Sequence, residues 1–239
     1  MISTKYPAQF RKCLEIISPI IQEANVRFKD EGIYIKTIDK TQILLLDFFI
    51  SKKAFDCGYS VEPTLVGLNL QELKNMISRG FDDDKLSLNL KEQGLDILLT
   101  GKLERKFHLP FMDLSEQTIN LPEQKYETEF LINAGLLKEI FKDANLVATT
   151  ILFKLQDNKL VIEAAGEKGN IKTALPEIKL KSKRNFASKF SLAFITNITR
   201  AMDNDKDVLI KLGEDVPIYL EYNISKDSII KFYLSPMLI

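Results

Sequence analysis

The sequence is poor in the residues that most enzyme sites need. It has two cysteines, one histidine and no tryptophan among 239 residues. Cys13 and Cys57 are too few for a disulfide framework, so we expect a reducing compartment. His108 alone nearly excludes a histidine-rich metal site and weakens any Ser-His or Cys-His mechanism. These absences disfavour secreted disulfide scaffolds and histidine-dependent catalysis.

An excess of either charge is also missing. Lys and Arg number 33, Asp and Glu number 33, and 45% of the residues are hydrophobic. A disordered chain needs low hydrophobicity and high net charge, so the sequence predicts a folded protein. A protein that holds nucleic acid by bulk charge alone is disfavoured too, because such domains are basic.

Long apolar runs do not occur. The longest covers residues 43–50 and is interrupted by Asp47, so it predicts a buried strand rather than a membrane span, which needs about 18 apolar residues. The first twelve residues are mixed and polar and show no signal-peptide pattern. We therefore expect no membrane partner.

Sequence motifs for catalysis are absent as well: there is no G-x-S-x-G, phosphate loop, H-E-x-x-H or C-x-x-C. Residues 166–169 (GEKG) predict a plain turn, and the acidic run at residues 82–84 predicts a solvated turn rather than a cation site. His108 is expected to be an ordinary strand residue facing solvent or an interface, and Cys13 a buried structural thiol. We expect no catalytic residue, metal or cofactor. A small enzyme with a site of scattered carboxylates remains an alternative.

A pattern of one helix followed by paired strands repeats along the chain. Apolar residues at helical spacing predict four amphipathic helices, at about residues 7–24, 69–79, 134–145 and 191–203. Pro19 lies inside the first and predicts a kink or an early end. Alternating apolar residues around Gly, Asn or Asp follow each helix and indicate a hairpin. The pattern favours an α+β fold of two similar domains, although other α+β proteins alternate loosely in this way.

One polar segment, residues 112–126 (MDLSEQTINLPEQKY), interrupts the repeat near the middle of the chain. A linker between two equal domains is expected at such a place. We therefore predict an N-terminal domain at residues 1–111, a connecting loop at 112–125 and a C-terminal domain at 126–239.

Five segments, in order along the whole chain, resemble the DNA sliding clamps of the PCNA family. The linker resembles that family's interdomain connecting loop. Residues 213–222 (GEDVPIYLEY) resemble its D-V-P strand, and residues 231–236 (KFYLSP) its Y-L-A-P terminus. Weaker matches are residues 31–39, with Glu-Gly-Ile and Ile-Asp, and residues 166–172 (GEKGNIK). Each motif alone is weak, but together they lie in register with the fourfold repeat.

The resemblance implies two α+β domains per subunit, each with two helix-plus-antiparallel-strand units, and three subunits closing a ring around duplex DNA. The helices would line the hole. The basic residues expected to face DNA are Arg11, Lys12, Lys74, Arg79, Lys138, Lys142 and Arg200. Lys74 and Arg79 are offset from the family's basic positions, where this chain has Asn75 and Ser78. For each basic residue taken singly, a solvated helix face is the alternative.

The even charge balance fits such a role. Carboxylates lie among these cations in the sequence, at Glu15, Glu23, Glu139, Asp143 and Asp203. Mixed faces should bind phosphates weakly and without sequence preference. A clamp held on DNA by topology needs no more than that, and weak contacts let it slide.

The resemblance also implies a pocket beneath the connecting loop that takes a hydrophobic plug and aromatic side chains of a partner peptide. The matching positions are Ile43, Ile119, Leu121, Pro122, Pro217, Tyr233 and Pro236. Apolar walls, rigid prolines and a tyrosine suit peptide recognition. The alternative is that these are core or turn residues, a serious rival for Ile43 and Tyr233.

Ring closure requires edge strands that another chain can extend. By resemblance the edges are residues 105–110 and 170–175, with Pro110 and Pro176 ending the pairing. The interface residues are then Lys106, Phe107, His108, Leu109, Ile171, Thr173 and Leu175. Such head-to-tail contacts close a ring when the rotation fits.

The expected function is that of a processivity factor without enzymatic activity. Its partners would be duplex DNA, DNA polymerase, other peptide-motif-bearing replication and repair proteins, and a clamp loader. A subunit of a heterotrimeric clamp, of the archaeal or checkpoint type, is the nearest alternative to a homotrimer. The ending without an acidic tail looks more archaeal than eukaryotic, which would place the protein in the cytoplasm at the nucleoid rather than in the nucleus.

Overall fold

The computed structural model describes residues 1–116, 119–120, 123–156, 159–175 and 185–238. The chain forms two compact units. Unit 1 comprises Met1–Asp39, Leu46–Ile119 and Asn223–Ile230, and unit 2 comprises Lys40–Leu45, Asn120–Tyr222 and Lys231–Ile239.

The first half of the chain carries two helices and nine strands among the described residues. The helices are α1 (Pro7–Ile17) and α2 (Leu70–Ile77), with a 3₁₀ turn at Lys52–Ala54. The strands are β1 (Ile2–Thr4), β2 (Glu23–Lys29), β3 (Gly32–Ile38), β4 (Leu44–Ser51), β5 (Gly58–Tyr59), β6 (Thr64–Asn69), β7 (Lys85–Leu90), β8 (Gly94–Thr100) and β9 (Glu104–Pro110). In unit 1, one antiparallel sheet has the order β5-β1-β7-β8-β9, and β2 pairs antiparallel with both β3 and β6.

The second half carries two helices and eight strands in its described part. The helices are α3 (Ala134–Val147) and α4 (Leu192–Arg200). The strands are β10 (Thr128–Asn133), β11 (Thr150–Gln156), β12 (Lys159–Gly166), β13 (Gly169–Ala174), β14 (Phe186–Ser191), β15 (Asp207–Leu212), β16 (Ile218–Ser225) and β17 (Ser228–Leu234). In unit 2, one antiparallel sheet has the order β13-β12-β11-β14, and β15 pairs antiparallel with β10 and β16.

Every predicted helix is followed by an antiparallel hairpin. The pairs are β2–β3 after α1, β7–β8 after α2, β11–β12 after α3 and β15–β16 after α4. The predicted α+β class and its fourfold repeat are therefore confirmed. The turn predicted at residues 166–169 is also present, between β12 and β13. The apolar run that predicted a buried strand is β4, in which Leu44, Leu46, Phe48 and Ile50 are buried.

Local chemistry sets the helix ends. Pro7 is the first residue of α1, where its missing N–H costs nothing. The predicted bound at residue 24 is wrong, since the helix stops at Ile17 and Ala24 lies in β2. Pro19 follows directly after the cap residue Ser18, so the early end predicted at Pro19 is confirmed. Asn69 caps α2 by accepting a hydrogen bond from the Glu72 N–H (2.9 Å). Asn133 caps α3 in the same way.

Three predicted helix boundaries were wrong by a few residues. The second helix ends at Ile77 rather than residue 79, since Arg79 N–H turns back to the Met76 carbonyl (3.1 Å) and Gly80 follows. The third continues two residues further, to Val147, and the fourth ends at Arg200. In the fourth helix Phe194 is only half-buried, because the buried face is carried by Leu192, Ile195 and Ile198.

The acidic run at residues 82–84 was predicted to be a solvated turn, and this is wrong for its last member. Asp82 and Asp83 are exposed, but Asp84 is fully buried. Its carboxylate accepts hydrogen bonds from Arg105 Nη1 (3.1 Å) and from the Phe81 N–H (3.0 Å). A partner that is distant in sequence explains the burial, since a buried carboxylate is found where a cation pairs with it.

Cys13 is buried in α1 as expected, and burial raises the pKa of its thiol to about 12. The described part of the chain has no helix of the length and apolarity that a membrane crossing requires. It also brings together no group of three His, Cys, Asp or Glu side chains suited to a metal ion.

Candidate functional surfaces

The helix pair α1–α2 of unit 1 carries four of the basic residues expected to face DNA. Arg11 is largely covered: its side chain is 17% exposed, and Nη1 lies 3.4 Å from Asp82 Oδ1. Its Nε and Nη2 are buried and have no hydrogen-bond partner among the described residues. Lys12 is half-buried. Arg11 is thus held beside a carboxylate whose own side chain is 93% exposed.

The remaining two cations of this helix pair, Lys74 and Arg79, differ in how far they are exposed to solvent. Lys74 lies on the helix and is half-buried, whereas Arg79 lies in the turn beyond its end and is exposed. Also on α2, the Gln71 amide donates to Asn75 Oδ1 (3.0 Å), and the carboxylate of Glu72 is exposed.

The helix pair α3–α4 of unit 2 uses one of its predicted cations internally. Lys138 Nζ donates to the Met202 carbonyl and to Asn204 Oδ1 (2.8 Å), both just beyond the end of α4. These bonds tie α3 to the C-terminal end of α4, where a cation also suits the helix dipole. Asn145 adds a second tie, donating to Thr196 Oγ1 (3.1 Å).

The other two cations of this pair are open to solvent. Lys142 is 68% exposed and lies 2.6 Å from Glu139 Oε1. Arg200, the last residue of α4, is exposed. Each helix pair thus has one predicted cation next to an exposed carboxylate, Arg11 beside Asp82 and Lys142 beside Glu139. Exposed ion pairs are weak, so such a face can exchange them for phosphates at little cost.

Four residues of the predicted peptide pocket lie in unit 2. Ile43, Pro217, Tyr233 and Pro236 are all half-buried, which distinguishes them from core residues. The Ser235 N–H donates to the Ile43 carbonyl (2.8 Å), so Ile43 lies beside the segment that carries Tyr233 and Pro236. Ile119 belongs to unit 1 and is half-buried. Leu121 and Pro122 lie outside the described residues.

Two further tyrosines, which the sequence reasoning missed, stand beside Tyr233. The ring of Tyr219 meets that of Tyr233 edge-on at 5.0 Å between centroids, and Tyr126 lies 6.3 Å from Tyr219. Burial raises the pKa of Tyr126 to about 12. Burial, together with a hydrogen bond to Glu221, raises the pKa of Tyr219. Sequence proximity could have pointed to Tyr219, because it lies two residues after Pro217, which directly precedes β16.

The first predicted interface strand, β9, is the last strand in the order β5-β1-β7-β8-β9 and thus an edge strand of the described sheet in unit 1. Lys106 and His108 are exposed on one face, while Phe107 is half-buried and Leu109 buried on the other. Asp96 of β8 lies opposite His108 and contacts both exposed side chains, 2.8 Å from His108 Nδ1 and 3.3 Å from Lys106 Nζ. The hydrogen bond with His108 lowers the pKa of Asp96. Pro110 is the last residue of the strand.

The second predicted interface strand, β13, ends the order of the other sheet, in unit 2. Ile171 and Thr173 are half-buried on one face. On the other face Lys172 Nζ lies 3.0 Å from Glu163 Oε1 of β12. Leu175 follows the strand, and its N–H still bonds to the Leu160 carbonyl (3.0 Å). Pro176 lies outside the described residues. In both edge strands, therefore, a lysine pairs with a carboxylate on the neighbouring strand of the same sheet.

Two family models match the chain. The model of the proliferating cell nuclear antigen N-terminal domain matches residues 3–124, and that of its C-terminal domain matches residues 120–237. Together they cover nearly the whole sequence.

Curated relatives agree with this match. The DNA polymerase sliding clamp of Pyrococcus furiosus is 27% identical over 234 residues, which are 95% of this chain and 94% of the relative. DNA polymerase sliding clamp 1 of Pyrobaculum aerophilum is equally similar, with the same coverage.

Solved structures show the same fold. The crystal structure of PCNA from Thermococcus kodakaraensis superposes with a TM-score of 0.91 at 25% identity and covers 99% of both chains. That of the Entamoeba histolytica protein, at 20% identity, has a TM-score of 0.90, with 99% of this chain and 98% of that one covered.

Proposed function

The chain belongs to the PCNA family, and from this membership we propose that it is a DNA sliding clamp. It forms a multimeric ring around duplex DNA and tethers DNA polymerase to its template. The observation that carries the proposal is the succession of both family domains along one chain. Because the family consists of processivity factors, the expectation that the chain is not an enzyme is confirmed by its membership. The protein acts where the DNA lies, at a nucleoid or in a nucleus.

The two helix pairs are the surfaces proposed to face the duplex. Three exposed cations, Arg79, Lys142 and Arg200, are the most accessible of the predicted set. Arg11 joins them when phosphate displaces the Asp82 carboxylate. Contacts of this kind go to the backbone of DNA and carry no sequence information. The clamp therefore binds without sequence preference and depends on topology for retention.

Partner proteins bind through a short peptide at the pocket around Ile43, Pro217, Tyr233 and Pro236. Half-buried apolar side chains beside a tyrosine offer the anchoring surface that such peptides use. Replacing Leu121 and Tyr233 together by Ala should weaken binding of a polymerase-tail peptide at least tenfold and leave the solution mass unchanged. Unchanged affinity in a peptide titration would show that this pocket is wrongly assigned.

Subunits associate when β9 of one copy extends β13 of the next. Because Asp96 and Glu163 already neutralise the edge cations within each sheet, association rests on backbone hydrogen bonds and on the apolar faces of the two strands. The apolar contributors are Phe107, Leu109, Ile171 and Leu175. A heteromeric ring, in which related subunits supply the neighbouring edges, is the alternative assembly. In either ring a clamp loader opens one such junction.

The experiment that tests the proposal is the solution mass by size exclusion with light scattering. A mass near three times the 27.3 kDa of one chain supports a self-sufficient ring. A monomer or dimer would contradict the homotrimer and favour the heteromeric alternative, to be tested by mixing with related subunits. Loading onto DNA by a candidate clamp loader then follows with the assembled ring.

A further inference from the structure

Tyr233 is the largest side chain of the proposed pocket, and its ring direction decides what the pocket can accept. The side chain is half-buried, so its ring could adopt more than one orientation unless a neighbouring side chain restrains it. Its ring meets Tyr219 at 5.0 Å between centroids with an interplanar angle of 61°. Edge-to-face contacts of this kind are favoured by the ring quadrupoles and prefer one relative orientation.

Tyr219 is itself fixed on several sides. It is 7% exposed, and its hydroxyl donates to the carboxylate of Glu221, two residues further along β16. Lys211 Nζ lies 5.2 Å from the centroid of its ring. Tyr126 packs at 6.3 Å. A ring held by a hydrogen bond, a cation and a second aromatic ring has little freedom to rotate.

The strand register explains why these groups meet. Lys211 of β15 lies directly opposite Tyr219 of β16 and directly opposite Glu129 of β10. Residues opposite one another in antiparallel strands point to the same face of the sheet and interact. Lys211 Nζ is 3.5 Å from Glu129 Oε2, so this ion pair also holds the cation over the tyrosine ring. The support of Tyr219 thus extends across three strands.

We propose that Tyr219 is a positioning residue for the partner peptide, acting through Tyr233. Tyr219 holds the Tyr233 ring in the orientation that an aromatic side chain of the peptide meets. Because the ring is already ordered, binding loses less side-chain freedom than it would with a mobile tyrosine. The inference rests on the proposed function, since it assumes that partner peptides bind at this pocket.

The test is a double-mutant cycle on the full chain, with Tyr219→Leu, Tyr233→Ala and the two combined. The probe is a synthetic peptide with a hydrophobic plug residue followed by two aromatic residues, titrated by fluorescence anisotropy. Tyr219→Leu should weaken binding about threefold to tenfold, the range of an aromatic pair. In the Tyr233→Ala background the same change should have no further effect. A purely structural role of Tyr219 would weaken binding equally in both backgrounds.

Control variants separate the ring from its hydroxyl and from the fold. Tyr219→Phe keeps the ring and should stay within twofold of the wild type. Tyr34→Leu breaks another tyrosine contact, the 4.5 Å pair with Phe49 in unit 1, and should not change peptide affinity. Tyr219→Met, closer in volume to tyrosine, replaces the leucine variant in the cycle if the latter does not fold.

The outcomes distinguish the inference from the proposed function. If Tyr233→Ala weakens binding but Tyr219→Leu does not, or if the two effects add, the positioning role is overturned while the pocket stands. If Tyr233→Ala leaves the affinity unchanged, the pocket itself is wrongly assigned and the inference falls with it.

Discussion

Replacing Asp84 by Ala should destabilise unit 1 strongly, because this carboxylate is fully buried and paired. Asp84 accepts hydrogen bonds from Arg105 (3.1 Å) and from the Phe81 N–H (3.0 Å). Removing one partner of a buried ion pair costs about 3–5 kcal/mol, since the other charge is left without compensation. Arg105 keeps 19% of its side chain exposed and stacks over the Phe81 ring at 4.7 Å. Water can therefore reach it, and we expect about 3 kcal/mol, the low end of that range.

Urea unfolding at matched protein concentration measures this effect. With a slope of about 1–3 kcal/mol per M, a loss of about 3 kcal/mol lowers the midpoint by about 1–3 M. Asp83→Ala is the matched control, because its side chain is exposed one residue earlier in the same turn. It should change the free energy of unfolding by no more than about 0.5 kcal/mol.

The double variant Asp84→Ala, Arg105→Ala checks the assignment to the ion pair. If the pair is the cause, the double variant should be clearly more stable than the sum of the two single effects predicts. A midpoint for Asp84→Ala equal to that of Asp83→Ala would show that the buried ion pair does not stabilise unit 1. Because Arg105 lies on β9, the same variants should also weaken the association of subunits.

Three further predictions follow from the surface charges. Asp82→Ala removes the carboxylate beside Arg11 and should raise the affinity for duplex DNA and steepen its salt dependence, both measured by fluorescence anisotropy. Arg200→Glu should weaken the same binding and reduce the salt slope by about one, and an unchanged slope would remove Arg200 from the DNA-facing set. The hydrogen bond with His108 lowers the pKa of Asp96 in the folded protein, so the ionised carboxylate stabilises the fold at pH values above 3.8, its ordinary pKa. This stabilisation is lost as the pH falls below 3.8 through the folded-state pKa. His108→Gln should bring the pKa of Asp96 back towards 3.8 in an NMR titration, and an unshifted titration would contradict the pairing.

The sequence was sufficient for the helices and hairpins because their signals are local. The stripe through Phe10, Leu14 and Ile17 and the position of Pro19 determine both the face and the end of α1. The end of α2 was less predictable, since only the turn of Arg79 back to Met76 shows that the helix has already ended.

The settings of individual charges could not be predicted, because each depends on a partner that is distant in sequence. From the sequence, Asp84 cannot be distinguished from its exposed neighbours. Only the fold brings Arg105, 21 residues further along the chain, within hydrogen-bonding distance of its carboxylate. Lys138 reads as an exposed cation, yet it bonds to groups more than 60 residues away. Helical periodicity says which face a residue occupies but not which group it meets there.

The peptide pocket could be predicted in part. The resemblance supplied Pro217 and Tyr233, but the support given by Tyr219 depends on the pairing of β15 with β16. A strand register is fixed by the whole sheet rather than by the residues of one strand.

If the assembled protein encircles DNA, it is retained by topology rather than by charge, and this can be measured on DNA with blocked ends. The protein is incubated with a linear duplex with free ends, and both ends are then blocked with bulky protein caps before a wash at high salt. A protein that encircles DNA should stay on this duplex, and it should not load onto the same duplex blocked beforehand or onto a closed circle. Equal binding to all three substrates, lost in the salt wash, would contradict encirclement and indicate ordinary electrostatic binding.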